Sequence, residues 1–102
     1  MLKHIVMMKF LDYADGREKQ DNLKIAKEMI DNFSNKIETI VEMKCGINIY
    51  KIDSPKAFDI VIDSVFKNFD DLEIYKNHNL HLELVDFLNK VREKTYYVDY
   101  QI

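Results

Sequence analysis

Three side chains that can hold or transfer a proton, Tyr75, His78 and His81, fall within one short segment of the sequence. When residues 79–91 are placed on an α-helix at about 100° per residue, His81 lies on its apolar face. That face also carries Leu84, Val85, Leu88 and Val91. Histidine is best suited to act as a base near neutral pH, and a phenol within reach can polarise a carbonyl oxygen. His81 and Tyr75 therefore fit acid–base chemistry on a carbonyl compound.

The same residues also fit purely structural roles. His81 would then be a buried neutral histidine bonded to the backbone or a tyrosine, Tyr75 would belong to the core, and His78 would cap or end a turn. The i, i+3 spacing of His78 and His81 is also compatible with Zn²⁺. Because no carboxylate or cysteine completes a recognised zinc motif, we expect no metal site.

The first predicted strand, residues 2–11, supplies the other wall of a candidate pocket. Side chains alternate along a strand, so the segment has two faces. One face carries His4, Val6, Met8 and Phe10, and the other carries Lys3, Ile5, Met7 and Lys9. If the first face meets the helices, an apolar pocket with a few polar groups results. The predicted binding residues are His4, Val6, Met8, Ile62, His78, Val85 and Leu88.

Hydrophobic periodicity places the other elements in the order βαββαβ. The predicted elements are a strand at 2–11, a helix from the Asp15-Gly16 turn to about 35, strands at 38–52 and 57–67, a helical segment at 69–92 with a break near 77–79, and a strand at 95–102. Asp15 or a neighbour is expected to cap the first helix. A turn at 53–56, which contains the one proline, joins the second and third strands in a hairpin. In the third strand, Phe58, Ile60 and Ile62 are expected on one face.

This order predicts one α+β domain over residues 1–102. Two right-handed βα crossovers around a four-stranded antiparallel sheet produce a ferredoxin-like sandwich with both helices on one face. The opposite face, with Ile5, Met7 and part of the apolar set of the second strand, is then bare. Soluble monomers rarely expose an apolar patch of this size. We therefore expect a homodimer that packs sheet to sheet as a dimeric α+β barrel.

Composition and charge exclude several other classes of protein. The net charge is −3, and no cluster of basic residues with interleaved aromatics forms a nucleic-acid surface. No apolar run is long enough for a membrane span, and the N-terminal segment does not resemble a secretory signal, so we expect a cytoplasmic protein. Cys45 is the single cysteine, which rules out an internal disulfide, and we expect it to be buried and inert.

Three stretches resemble the stress-responsive A/B barrel family, a group of small dimeric α+β barrel proteins. They are Lys3-His4-Ile5-Val6 with Lys9-Phe10, then Phe69-Asp71-Leu72-Tyr75 with His78 and His81, and finally Val98-Asp99-Tyr100. The family usually has a proline after the first histidine of its His-Pro-x-His element, where this sequence has Asn79. Asparagine is able to cap a helix at that position.

The resemblance implies a function as well as a fold. Plant polyketide cyclases with the same fold are enzymes, and they imply a general base at His81, a substrate-orienting hydroxyl at Tyr75 and a pocket-lining histidine at His4. Related haem-degrading oxygenases use an Asn-Trp-His arrangement that this sequence, without tryptophan, does not have, so we expect no cofactor. Two functions remain open: a dimer that binds a small apolar carbonyl compound, and a cofactor-independent cyclase or lyase in which His81 is the general base.

Overall fold

The computed structural model describes residues 1–50 and 54–102. In this part of the chain the elements are β1 (Leu2–Phe10), β2 (Tyr13–Ala14), β3 (Arg17–Glu18), α1 (Lys19–Asp31), β4 (Glu42–Ile47), β5 (Ile60–Phe66), α2 (Phe69–Asn77), α3 (Asn79–Val91) and β6 (Arg92–Gln101). The predicted βαββαβ order is confirmed, with a small hairpin, β2–β3, added before α1.

The main sheet has the strand order β4-β5-β1-β6, and every neighbouring pair is antiparallel. β1 therefore lies between β5 and β6. Its register places His4 opposite Ser64 on one side and Asp99 on the other. This is the predicted ferredoxin-like sandwich, and the register decides which side chains surround His4.

The helices cover one face of the sheet. Phe10 and Phe66 are buried in the same core as Ile30 of α1 and Leu84 of α3. The alternation predicted for β1 is present, because Leu2, His4, Met8 and Phe10 are buried while Met7 on the opposite face is exposed. Burial of these apolar side chains is the main favourable contribution to folding.

The β2–β3 hairpin replaces the helix cap expected at Asp15. Asp15 and Gly16 have φ angles of 54° and 76°, the positive pair that a two-residue type I′ turn requires. Glu18 is the N-cap residue of α1, and its side chain makes no capping hydrogen bond. Of the expected caps, Asp15 or a neighbour, Asp15 is therefore excluded, because the Asp-Gly pair forms the turn of a separate hairpin and the N-cap position falls on Glu18.

Two element boundaries differ from the prediction. α1 ends at Asp31, and the next turn is held by a hydrogen bond of 2.9 Å from the Ile37 amide to the Phe33 carbonyl. Asn32, Ser34 and Asn35 compete with the helix for backbone bonds, which favours this early end. β4 covers 42–47 instead of 38–52. Residues 51–53, which end the predicted second strand and begin the predicted turn, lie outside the described residues.

The outer face of the sheet is built from different strands than expected. Met43, Cys45 and Ile47 of β4 pack against the helix-side core, so the expectation that part of this set lies on the bare face is wrong. β6 instead contributes Tyr96, Val98 and Tyr100. Phe58 also departs from the predicted alternation, since its ring lies 5.5 Å from that of Tyr96 on the outer face. The strand proper begins only at Ile60, and the alternation begins with it.

Among the described residues, no helix is both long enough and apolar enough to cross a membrane.

Candidate ligand-binding site

A cavity of about 240 Å³ lies between the sheet and the helices α2 and α3. Its wall includes every predicted site residue except His78, namely His4, Val6, Met8, Ile62, Tyr75, His81, Val85 and Leu88. The fold thus brings two histidines and a tyrosine into contact with one apolar space. Lys76, Leu84, Arg92, Thr95 and Tyr97 complete the wall.

Tyr75 and His81 are direct neighbours in this wall. Their ring centroids are 4.6 Å apart, and the ring planes meet at 54°. Tyr75 is only 2% exposed, and its ring also packs against Phe66 and Phe33 with centroid distances of 5.1 and 6.1 Å. This burial raises the pKa of the Tyr75 phenol, so the hydroxyl keeps its proton and acts as a hydrogen-bond donor.

A break between α2 and α3 sets the position of His81. α2 ends at Asn77, and His78 is extended with a ψ angle of 141° before α3 begins. The last carbonyl groups of a helix lack intrahelical partners. One of these, the carbonyl of Lys76, accepts a hydrogen bond of 2.9 Å from Nδ1 of His81.

This hydrogen bond determines the tautomer of His81. A carbonyl oxygen only accepts, so Nδ1 must carry the proton, and in the neutral ring Nε2 carries a free lone pair. Burial lowers the pKa of His81, and the positive charges of Lys76 and Arg92 act in the same direction, although the bond to the Lys76 carbonyl opposes them. His81 is therefore a neutral imidazole at pH 7, with Nε2 available as a base.

His4 is held in a similar way by the neighbouring strand. Nδ1 of His4 donates a hydrogen bond to Oδ1 of Asp99, which lies directly opposite it in β6. The ring of His4 also lies 6.2 Å from that of Tyr97. With Nδ1 engaged by a carboxylate, the orientation of the imidazole is fixed and Nε2 is its remaining polar atom.

His78 does not line the cavity, which contradicts its predicted role as a binding residue. It is the N-cap residue of α3, and its Nδ1 accepts a hydrogen bond of 3.1 Å from the Leu80 amide. The capping role considered for Asn79 is likewise wrong, because Asn79 is the first residue inside the helix. His78 lies at the break after which the Lys76 carbonyl is left without a helix partner.

Sequence reasoning missed the residues that β6 adds to the site. Thr95 and Tyr97 line the cavity, and Asp99 holds His4. All three lie on one face of the strand by simple alternation, and the antiparallel pairing with β1 places that face beside His4. The alternation of side chains along the last strand shows that these three residues share a face. Only the strand order shows that this face lies beside His4.

The described residues contain no group of three or more His, Cys, Asp or Glu side chains that could hold a metal ion. A larger depression, of about 780 Å³, lies beside the start of α1. Three of its charged groups are engaged with one another, since Lys19 Nζ lies 3.3 Å from Asp12 and 3.4 Å from Asp59. His4, Tyr75 and His81 line the smaller cavity and not this depression.

The family model for the stress responsive A/B barrel domain matches residues 2–102. The chain belongs to this family. A comparison with proteins of curated function finds no match.

Solved structures agree with this assignment. A dimeric protein of unknown function with a ferredoxin-like fold from Bacteroides fragilis is 30% identical, with a TM-score of 0.85 over 99% of this chain and 95% of that one. A dimeric ferredoxin-like protein of unknown function from Thermobifida fusca is 12% identical, with a TM-score of 0.81 over 99% and 90%. A hydroxynitrile lyase from Passiflora edulis is 20% identical, with a TM-score of 0.77 over 99% and 92%.

Proposed function

We propose that this A/B barrel protein is a homodimer that binds a small, mostly apolar carbonyl compound in the cavity beside His81. The observation that carries the proposal is the composition of the cavity wall. Val6, Met8 and Leu88 provide apolar surface, while Tyr75 and His81, whose ring centroids lie 4.6 Å apart, are two residues of the wall with polar groups. Ligand sites are typically apolar spaces with a few convergent polar groups.

The size of the cavity limits the ligand. Since a water molecule occupies about 30 Å³ of liquid, a cavity of about 240 Å³ has room for roughly eight non-hydrogen atoms. A six-carbon ketone such as hexan-2-one fits this limit. The Tyr75 hydroxyl, which keeps its proton, would donate a hydrogen bond to the ketone oxygen.

A test of binding is a titration of the ¹⁵N-labelled protein with hexan-2-one, followed by amide chemical shifts. We expect saturable shifts at Tyr75, His81 and Leu88, and none of comparable size around Lys19 at the larger depression. Leu88→Phe should fill the cavity and remove these shifts, while Leu82→Phe, at an exposed position of the same helix, should keep them. Shifts that persist in Leu88→Phe would place the ligand elsewhere.

The tautomer of His81 supports a second function, proton transfer to and from the bound ligand. Nε2 of His81 would take a proton from the carbon next to the carbonyl group, and the C–H electron pair would move to form an enolate. The Tyr75 hydroxyl would donate a hydrogen bond to the enolate oxygen. The hydroxynitrile lyase from Passiflora edulis has this fold, which supports the idea that such a scaffold can host an enzyme.

Proton transfer can be measured by deuterium exchange. In D₂O, wild-type protein should accelerate exchange at C3 of hexan-2-one, and His81→Gln should lose about 10²–10⁴-fold of that acceleration because glutamine cannot act as a base. Glu83→Gln is the matched control, since Glu83 is exposed on the same helix and lies outside the cavity, and it should retain the rate. If His81→Gln exchanges as fast as wild type, His81 is not the base.

The homodimer proposal rests on the outer face of the sheet. Met7, Tyr96 and Val98 are 40%, 59% and 51% exposed there, although all three are large apolar or aromatic side chains. A second copy of the same face would cover them. The B. fragilis protein, which is 30% identical over nearly the whole chain, is described as dimeric, and this supports the same assembly here.

A further inference from the structure

The wall of the cavity carries two positively charged side chains. Lys76 and Arg92 are part of the wall, and no Asp or Glu is among the described residues that line it. The carboxylate of Asp99, opposite His4 in the sheet, is already bonded to that histidine. The chain has a net charge of −3, so two positive charges beside a largely apolar space are opposite in sign to the charge of the whole chain.

Arg92 is the more available of the two cations. Its Nη2 donates to Oδ1 of Asn89 at 2.6 Å and its Nη1 donates weakly to Thr95 at 3.4 Å, so both of its partners are neutral. Lys76 Nζ, in contrast, lies 3.5 Å from a carboxylate oxygen of Glu73. Within 4.0 Å of the Arg92 guanidinium there is no carboxylate from residues 1–50 or 54–102.

The position of Arg92 suits an anionic group at the entrance. It is the first residue of β6, directly after α3, and it is only half-buried. Arg92, Thr95 and Tyr97 also line a neighbouring open depression of about 500 Å³, whose wall is completed by Asn89 and by the oppositely charged Glu93 and Lys94. The cavity and this depression therefore meet at Arg92, where a charged group can remain partly hydrated while an apolar chain enters the cavity.

We propose that the ligand carries a carboxylate, and that Arg92 binds it at the mouth of the cavity. This inference rests on the proposed function and specifies it, because the ligand becomes a short-chain oxo acid with its acid group outward and its carbonyl group towards Tyr75. Arginine presents a planar fork of N–H donors that matches the two oxygens of a carboxylate. Two of its five N–H groups are engaged, which leaves the others for the ligand. Lys76 adds a second positive charge.

Three probes distinguish the contribution of the acid group to binding from that of the carbonyl group. They are 2-oxohexanoate, which has both, hexanoate, which has only the carboxylate, and hexan-2-one, which has only the carbonyl. Affinities are measured by amide-shift titration of the intact protein. We expect 2-oxohexanoate to bind at least about 10-fold more tightly than hexan-2-one, since hydrogen bonds between charged groups are stronger than neutral ones. Added salt should weaken the binding of the two acids and leave the affinity for hexan-2-one unchanged.

Variants assign the effect to Arg92. Arg92→Gln should abolish the preference for 2-oxohexanoate over hexan-2-one, and Arg92→Lys, which keeps the charge but loses the fork, should keep part of it. Lys90→Gln is the matched control, because it removes one positive charge from an exposed position two residues away, and the preference should survive. Binding of hexan-2-one, which is insensitive to the charge, reports whether each variant retains the folded cavity.

The outcomes distinguish this inference from the function on which it rests. If hexan-2-one binds but neither acid binds more tightly, or if Arg92→Gln keeps the full preference, the carboxylate site is wrong while the carbonyl ligand stands. If hexanoate binds through Arg92 but hexan-2-one does not bind, the carbonyl proposal is wrong and the anion site stands. If neither acid binds to wild-type protein under any salt condition, the inference is overturned.

Discussion

Nδ1 of His81 donates a hydrogen bond of 2.9 Å to the carbonyl oxygen of Lys76, across the break between α2 and α3. The partner exists because α2 stops at Asn77 and leaves its last carbonyl groups free. A continuous helix from 69 to 91 would engage this carbonyl in its own backbone ladder. The break thus fixes both the direction and the tautomer of the imidazole.

The lowered pKa of His81 makes folding stability depend on pH. In the unfolded chain a histidine titrates near pH 6.5, whereas burial lowers the pKa of His81 in the folded protein. Between these two values the unfolded chain binds more protons, so the free energy of unfolding falls as the pH drops below about 6.5. The contribution of His81 to this fall ends below the pKa that His81 has in the folded protein. His81→Gln should show a smaller fall than wild type in denaturant titrations over this window.

The difference between the two proteins isolates His81 from the other titrating groups, which both share. Above about pH 7 the difference in unfolding free energy should be constant, because the imidazole is then neutral in both states. An NMR titration of the His81 ring gives the folded pKa directly. A difference that stays constant from pH 5 to pH 8 would contradict a lowered pKa.

Asn22 is predicted to hold the β2–β3 hairpin against α1. It is fully buried, its Nδ2 donates to the Ala14 carbonyl at 3.0 Å, and its Oδ1 accepts from Nε of Arg17 at 2.8 Å. Asn22→Ala would leave the buried Ala14 carbonyl without this partner, and we expect a loss of about 1–3 kcal/mol in unfolding free energy. Asn35→Ala is the control, since Asn35 is exposed and lies outside the helix, and it should change stability by less than about 0.5 kcal/mol. Equal effects of the two substitutions would contradict the anchoring role.

The contrast between predicted and missed site residues has a physical reason. The pattern of β1 identified His4, Val6 and Met8 because a strand repeats every two residues, and the stripe on α3 identified His81 because a helix repeats every 3.6. Both are local properties of the chain. The contributions of Thr95 and Arg92 depend on which strand pairs with β1 and in what register, and this is set by contacts between the two ends of the sequence.

The outer face illustrates the same limit. Alternation divides the side chains of β4 into two sets, but it does not say which set meets the helices. The apolar set of Met43 and Ile47 turned out to face the core. The role of His78 was similarly ambiguous, because the same residue type lines pockets and caps helices, and only its bond to the Leu80 amide decides between them.

Cys45 is expected to react slowly with thiol reagents. It lies in β4 facing the helix-side core, and burial raises the pKa of its thiol to about 11. Because the thiolate is the reactive form, and an ordinary cysteine has a pKa of about 8.5, labelling at pH 8 should be at least about 100-fold slower than for a free thiol. Unfolding in guanidinium chloride should restore the ordinary rate. Rapid labelling of the folded protein would contradict the burial of this side chain.

If the outer face forms the dimer interface, a charge placed on that face should dissociate the dimer. Met7 lies on β1 between Val61 and Tyr96, and at 40% exposure it can be replaced in a monomer without disturbing the core. Met7→Asp would place an unpaired carboxylate inside the dimer interface, where its loss of hydration is not compensated. We expect wild-type protein to sediment as a dimer at micromolar concentration and Met7→Asp to sediment as a 12.2 kDa monomer that remains folded.

Ile74→Asp is the matched control for this experiment. Ile74 is 54% exposed on α2, which covers the opposite side of the sheet, so the same kind of substitution there should leave the dimer intact. A stable sheet-to-sheet contact should bury at least about 1,000 Å² in total. A wild-type monomer, or a Met7→Asp protein that dimerises as strongly as Ile74→Asp, would show that this face does not form the interface. In that case the exposed tyrosines of β6 would need a different partner.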